Sequence, residues 1–290
     1  MRLKYRIRST MHGAVSIVNA IPTGKGSTVG ISLDVNVTLD VTEGNGVSAN
    51  IGDTDFINSI VNRIIPKDII KDNHISIDIR SRIPMGYGLK SSSAVSNAIA
   101  LACYKLLDIV DGYDYSMDAF RVINTAVDAS IASKVSITGA FDDACACYFG
   151  GFFVTDNYAR SIMRHESTDE SLYAVILLPL GLQRRDPLRL KRISRYFSYA
   201  VDLALNGDYW DAMNLNGILV ASALSIPYEY MLDVLDYAHA AGVSGNGPAI
   251  AAICTEDNAG EVISIWSNYG EVLKARLSNE SAKVSVHEVS

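Results

Sequence analysis

Apolar and polar residues alternate without a break over residues 31–41. Ile31, Leu33, Val35, Val37, Leu39 and Val41 share one parity; Ser32, Asp34, Asn36, Thr38 and Asp40 share the other. A period of two predicts a strand with one face buried and one in water. Ile75, Ile77 and Ile79, interleaved with Ser76, Asp78 and Arg80, repeat the pattern. Pro84, Gly86 and Gly88 then interrupt regular structure, and 91–107 reads as a helix with Ala94, Ala98, Leu101 and Ala102 among its small or apolar positions. The order is strand, glycine-rich loop, helix.

Further helices are expected at about 116–133 and 189–206. In the second, Leu190, Ile193, Phe197, Ala200 and Ala204 fall on one face and Gly207 supplies a stop. A third is expected to start near Pro227 and run through Met231, Val234, Leu235 and Ala238 to Gly242. The apolar runs 173–178 and 249–254 predict buried strands. Mixed elements with antiparallel-looking strands predict an α+β protein. Gly150-Gly151 is the expected boundary between an N-terminal domain, 1–150, and a C-terminal domain, 151–290.

Composition narrows the classes. The 290 residues are 49% hydrophobic and 20% charged, as in a globular chain with a substantial core. A net charge of −7 argues against a broad phosphate-tracking surface and against nucleic acid as a partner, while leaving room for a local basic pocket. Cys103, Cys145, Cys147 and Cys254 include no C-x-x-C pair, so buried free thiols in a reducing, cytoplasmic setting are expected. The basic start MRLKYRIR leads into no unbroken apolar stretch, and the most apolar run, 94–110, contains Ser96, Asn97 and Lys105 and is short for a bilayer span. Neither a secretion signal nor a membrane segment is expected.

The most informative segment is Pro84-Met85-Gly86-Tyr87-Gly88-Leu89-Lys90-Ser91-Ser92-Ser93-Ala94. Backbone N–H groups can converge on a phosphate only where bulky Cβ atoms are absent, and a following helix adds unpaired N-terminal donors and its positive dipole end. The serines offer hydroxyls to phosphate or Mg²⁺, and Lys90 a positive charge; helix capping by the serines is the competing reading. Gly24-Lys25-Gly26-Ser27 is not a P-loop, because glycine follows Lys25 and Asn19 stands where the leading glycine belongs. Gly242-Val-Ser-Gly-Asn-Gly-Pro248 is expected between a helix and a strand, the reverse of a dinucleotide fingerprint.

Pro84-x-x-x-Gly88-Leu89-x-Ser91-Ser92-x-Ala94 resembles the central motif of the GHMP kinases, which wraps the ATP phosphates. The third serine, Ser93, departs from the common form, and Gly-Leu-Lys-Ser-Ser-Ser-Ala resembles the archaeal shikimate kinase group. Asn19-Ala-Ile-Pro-Thr-Gly-Lys-Gly26 and Thr138-Gly-Ala-Phe-Asp-Asp-Ala-Cys145 resemble two further signatures of that group, and Ser244-Gly-Asn-Gly-Pro248 resembles the third GHMP motif. The resemblance implies an N-terminal domain like ribosomal protein S5 domain 2 and a ferredoxin-like C-terminal domain. It implies ATP-dependent phosphorylation of the 3-hydroxyl of shikimate, with Mg²⁺. Homoserine or mevalonate kinase activity, or a non-catalytic nucleotide-binding regulator, are the alternatives.

By the same resemblance, Asp142 takes the place of the catalytic aspartate, with Asp143 as rival and an N-cap role for either as the plain alternative. Ser92 and Asp128 are the implied Mg²⁺ ligands, an exposed helix carboxylate being the other reading of Asp128. The lysine that many relatives carry early in the chain is absent from Ser9-Thr-Met-His12-Gly13, which leaves His12 or Lys25 to supply that charge. Asn19 and Thr138 join the candidate substrate-binding residues. A carboxylate on the substrate suits the planar fork of arginine, for which Arg184 and Arg185 are candidates. Arg189, Lys191, Arg192 and Arg195 fit a solvated helix face.

Overall fold

The computed structural model describes residues 3–51 and 54–288; Met1 and Arg2 of the basic start lie outside them. The chain forms β1 (Leu3–Val18), β2 (Lys25–Glu43), β3 (Gly46–Ala49), α1 (Thr54–Ile64), α2 (Lys67–Asp72), β4 (Asn73–Ser81), α3 (Ser91–Asp111), α4 (Ala119–Ala132) and α5 (Phe141–Phe149). Next come β5 (Phe152–Asp156), β6 (Ser161–Glu166), β7 (Leu172–Pro179), α6 (Ser194–Asn206), α7 (Tyr209–Leu224) and α8 (Glu229–Leu232). The described chain closes with β8 (Ala240–Val243), β9 (Ile250–Thr255), α9 (Glu256–Trp266), β10 (Gly270–Arg276) and β11 (Lys283–Glu288).

Two sheets result. One runs β11-β1-β2-β4-β3, with β5 on the other end of β2 and β6 beside β5; the second is antiparallel in the order β10-β7-β9-β8. The α+β character is as expected. Facing isoleucines and valines explain the β2–β4 register: Val37 pairs with Ile79, Leu39 with Ile77 and Val41 with Ile75. β2 extends well upstream of the alternating stretch. From Gly26 to Ile31 every residue is buried, so the period of two disappears where both faces of the strand are covered.

The second half reaches back into the first sheet through β5, β6 and β11. At the crossing, Gly151 N–H donates to Ser278 at 2.7 Å and Gly30 N–H to Gly151 at 3.0 Å. A Cβ on Gly150 would lie 2.6 Å from the Asn279 backbone, so Gly150-Gly151 is a tightly packed crossing.

Helix expectations are met unevenly. Asp118 caps α4, accepting from Arg121 N–H at 3.0 Å, so the helix starts later than 116. Residues 187–193 form a 3₁₀ turn behind Pro187, capped by Asp186, before α6 begins; Gly207 ends α6 at φ +94°. The expected helix from Pro227 to Gly242 is corrected: only α8 is helical, and Ala240–Val243 is a buried strand paired with β9. Close approach to α7 selects that outcome, since a Cβ on Gly242 would sit 2.9 Å from the Met213 carbonyl. Gly242–Pro248 therefore joins two strands, not a helix and a strand. All four cysteines are free and buried. α3 is long and apolar enough to cross a bilayer, yet 67% of its most apolar window is buried inside the protein.

Candidate active site

A cleft of about 420 Å³ opens between the two sheets' loops. The glycine-rich loop after β4 forms one wall. Gly86 and Gly88 take φ of +84° and +87°, a left-handed conformation that glycine adopts without penalty. A Cβ on Gly88 would lie 2.2 Å from the Ser244 carbonyl oxygen, so this loop and the 242–248 loop touch backbone to backbone. α3 starts at the cleft with Lys90, φ +64°, as its N-cap, and no side chain caps it. The serine-cap reading is thus set aside, and the unpaired first-turn N–H groups of α3 open toward the cleft. Ser92 is exposed, Ser93 half-buried and Ser91 buried, and all three line the cleft.

The opposite wall is the start of α5. Its N-cap is Ala140 at φ +52°, again without a side-chain cap, so neither Asp142 nor Asp143 caps the helix. Left-handed non-glycine residues cost on the order of 1–3 kcal/mol each. Lys90 and Ala140 place that strain at the two helix starts facing the cleft.

Asp142 is buried, 3% exposed. Asn157 Nδ2 donates to its Oδ1 at 2.8 Å, and the Thr28 hydroxyl lies 3.0 Å from its Oδ2. That hydroxyl is also 3.0 Å from Asp143 Oδ1. Burial foremost, and then the charge of Asp143, push the Asp142 carboxyl up to about 6; Lys90, Asn157 and Thr28 oppose the rise. Asn157 is itself fixed, accepting from Asp142 N–H at 3.1 Å and from the Thr155 hydroxyl at 2.6 Å. Gly26 supplies room below: a Cβ there would lie 2.2 Å from Asp142 Oδ2.

Lys90 crosses the cleft floor. Its Nζ donates to Ser16 Oγ at 2.7 Å and pairs with Asp143 Oδ1 at 3.0 Å. Ser16 Oγ also accepts from Gly245 N–H at 3.0 Å, and Ser244 Oγ donates to the Gly88 carbonyl at 2.8 Å. Asn19 Nδ2 donates to the Gly245 carbonyl at 2.8 Å and to Asn246 at 3.1 Å. The two glycine loops and β1 are thereby laced together.

Of the expected residues, the structure brings Asn19, Pro84, Gly86, Gly88, Leu89, Lys90, the three serines, Thr138, Asp142, Asp143 and Arg184 to one cleft. Met85 is exposed, Tyr87 accepts Ala249 N–H through its carbonyl at 3.1 Å, and Ala94 is buried in the first turn of α3. Four expectations are not met. His12 is turned into the protein beside Asp34, Nδ1 at 3.1 Å, and Lys25 lies outside the cleft lining. Asp128 is ion-paired with Arg160 on the other side of α4 and does not reach the cleft. Arg185 borders a separate small hollow with Leu224 and Ile226. The sequence reading missed Ser16, Thr28, Lys134 and Asn157. Ser16, a lone polar residue in the apolar run Ala14–Val18, carried a signal; the other three had none.

A phosphate-type loop and a buried carboxyl facing each other in a two-sheet α+β frame define a GHMP-type phosphotransferase. Residues 55–151 match the GHMP kinases N terminal domain and residues 202–272 the GHMP kinases C terminal domain. Within that class the chain belongs to the archaeal-type shikimate kinase family. It is 34% identical to the shikimate kinase of Methanobrevibacter smithii, over 96% of this chain and 98% of the relative. With the shikimate kinase of Methanothermobacter thermautotrophicus it shares 35% over 98% and 99%, and with that of Pyrococcus furiosus 34% over 90% and 95%. Solved structures show the same fold. Homoserine kinase from Cytophaga hutchinsonii superposes with a TM-score of 0.72 at 19% identity, covering 97% of both chains. Mevalonate kinase from Methanococcus jannaschii does so at 0.70 and 14%, covering 94% of this chain and 98% of the other.

Proposed function

We propose that the chain transfers the terminal phosphoryl group of ATP to the 3-hydroxyl of shikimate, giving shikimate 3-phosphate and ADP, in the cytoplasm. The carrying observation is that the 84–94 loop and the buried Asp142 carboxyl share one cleft, in a chain about one third identical to shikimate kinases over nearly its whole length. The loop and the first turn of α3 hold the phosphates through backbone N–H groups and serine hydroxyls. Asp142 takes the acceptor's proton. As the bond from the acceptor oxygen to phosphorus forms, the phosphorus–oxygen bond to ADP breaks and the proton passes to the carboxylate. A base titrating near 6 is mostly ionised at neutral pH, and positioned general-base catalysis contributes about 10²–10⁴-fold.

Arg184 and Lys134, both on the cleft lining, are the cations for the shikimate carboxylate. The Ser92 hydroxyl, on the cleft lining, would help hold the magnesium ion that accompanies ATP; among the described residues there is no cluster of three His, Cys, Asp or Glu side chains that could hold a metal by itself. Those donors fit an ion held chiefly by phosphate oxygens and water, the usual state of Mg²⁺, whose charge neutralises the phosphates.

The test is ADP release from purified protein with ATP, Mg²⁺ and, in turn, shikimate, homoserine or mevalonate, with products identified by mass spectrometry. Turnover of shikimate is expected; turnover of homoserine or mevalonate alone would move the chain to a sister activity.

A further inference from the structure

The two carboxyls of the cleft are not equivalent, and one cation distinguishes them. Lys90 takes the left-handed backbone conformation that the nearby Gly86 and Gly88 also take, and its side chain is 6% exposed. The ammonium has three donors. One meets Ser16 Oγ at 2.7 Å and one meets Asp143 Oδ1 at 3.0 Å. Asp143 in turn shares the Thr28 hydroxyl with Asp142, each at 3.0 Å. A hydroxyl carries one proton and cannot donate to both at once. Once Asp142 has taken a proton, all three groups are satisfied: Asp142 donates to Thr28, and Thr28 donates to the Asp143 carboxylate held by Lys90.

We propose that Lys90 is a positioning residue for phosphoryl transfer: its ammonium anchors the Asp143 carboxylate and, through the Thr28 hydroxyl the two carboxyls share, holds Asp142 as the group that takes the acceptor's proton. This assignment rests on the kinase reading above. It gives the loop lysine a duty beyond phosphate binding, and it supplies the cation that neither His12 nor Lys25 brings to the cleft. The charged and titratable groups facing Asp142 are Asp143 beside it, Lys90 before α3, and the Cys145 and Cys147 thiols further along α5, both driven up by burial and neutral in the working range. β1, β2 and the turn after β5 present the neutral Ser16, Thr28 and Asn157 there. Lys134 and Arg184 line the cleft further out. Lys90 draws the Asp142 carboxyl down while Asp143 drives it up, so removing either moves the titration in a known direction.

The experiment is the pH profile of kcat/KM for the acceptor at saturating ATP in wild type, Lys90→Gln, Lys90→Arg and Asp143→Asn. The wild-type acid limb is expected near pH 6. Lys90→Gln should move it up by about one unit or more, a loss of roughly fivefold or more at pH 6 that is largely recovered at pH 8.5. Lys90→Arg should return it toward wild type, and Asp143→Asn should move it down. If Lys90→Gln folds poorly, Asp143→Asn probes the same linkage with the lysine in place. A higher KM for ATP with an acid limb unmoved in both Lys90→Gln and Asp143→Asn overturns the proposal and makes Lys90 a phosphate ligand only. A wild-type protein that turns over none of the three acceptors would instead fail the kinase reading itself.

Discussion

At the scale of single residues, the burial of Asp142 makes stability depend on pH. Its carboxyl is raised from 3.8 to about 6, first by burial. Between those values the folded chain keeps a proton that the unfolded chain releases, so stability falls as pH rises through the window. About two units correspond to roughly 3 kcal/mol at most. Asp142→Asn removes the titration. It is therefore expected to melt above wild type at pH 8 and level with it at pH 4, while turnover falls by about 10³-fold and nucleotide affinity is kept. Paired melting curves, turnover and nucleotide titration check all three; normal turnover would return the chain to a non-catalytic role for this residue. Asn157→Ala should raise the acid limb of the pH profile, because the bond that favours the ionised carboxylate is lost. The sequence pointed to Asp142 through its motif, but nothing local set it apart from Asp143. The hydroxyl and the ammonium that separate them come from Thr28, 114 residues away, and from Lys90.

At the scale of elements, the loops matter more than the helices they join. Gly88 combines positive φ with a site where an added Cβ would lie 2.2 Å from the Ser244 carbonyl oxygen, so Gly88→Ala must displace one glycine loop from the other. A loss of roughly 1–3 kcal/mol and a rise of about tenfold or more in KM for ATP are expected, measurable by denaturation and initial rates. Gly26→Ala presses on Asp142 Oδ2 instead and should lower kcat with less effect on ATP binding. The alternation in β2 and the α3 helix were readable because one covered face leaves a periodic trace. The upstream end of β2 and the strand β8 were not, because both faces of each are packed and the period vanishes. The residues 227–242 look helical by spacing alone, yet pairing with β9 and contact with α7 made Ala240–Val243 a strand.

For the molecule as a whole, the cleft is built from both halves, tied by Ser16, Ser244 and Asn19. A nucleotide bound across those loops should stabilise the folded chain by about 2.7 kcal/mol at one hundred times its Kd. Hydrogen exchange on adding a nonhydrolysable ATP analogue should slow together at 84–94 and 242–248. Protection confined to the first segment would separate the second glycine loop from the nucleotide site. The sequence alone determined the α+β class, the phosphate-type loop and the family, because periodicity, glycine placement and motifs are local properties of the chain. Which carboxyl is the more buried, which lysine pairs with its neighbour, and the placement of His12, Lys25 and Asp128 outside the cleft lining were decided only by tertiary structure. Charge partners and desolvation depend on distance in space, and Thr28, which contacts both carboxyls here, lies 114 residues from Asp142 along the chain.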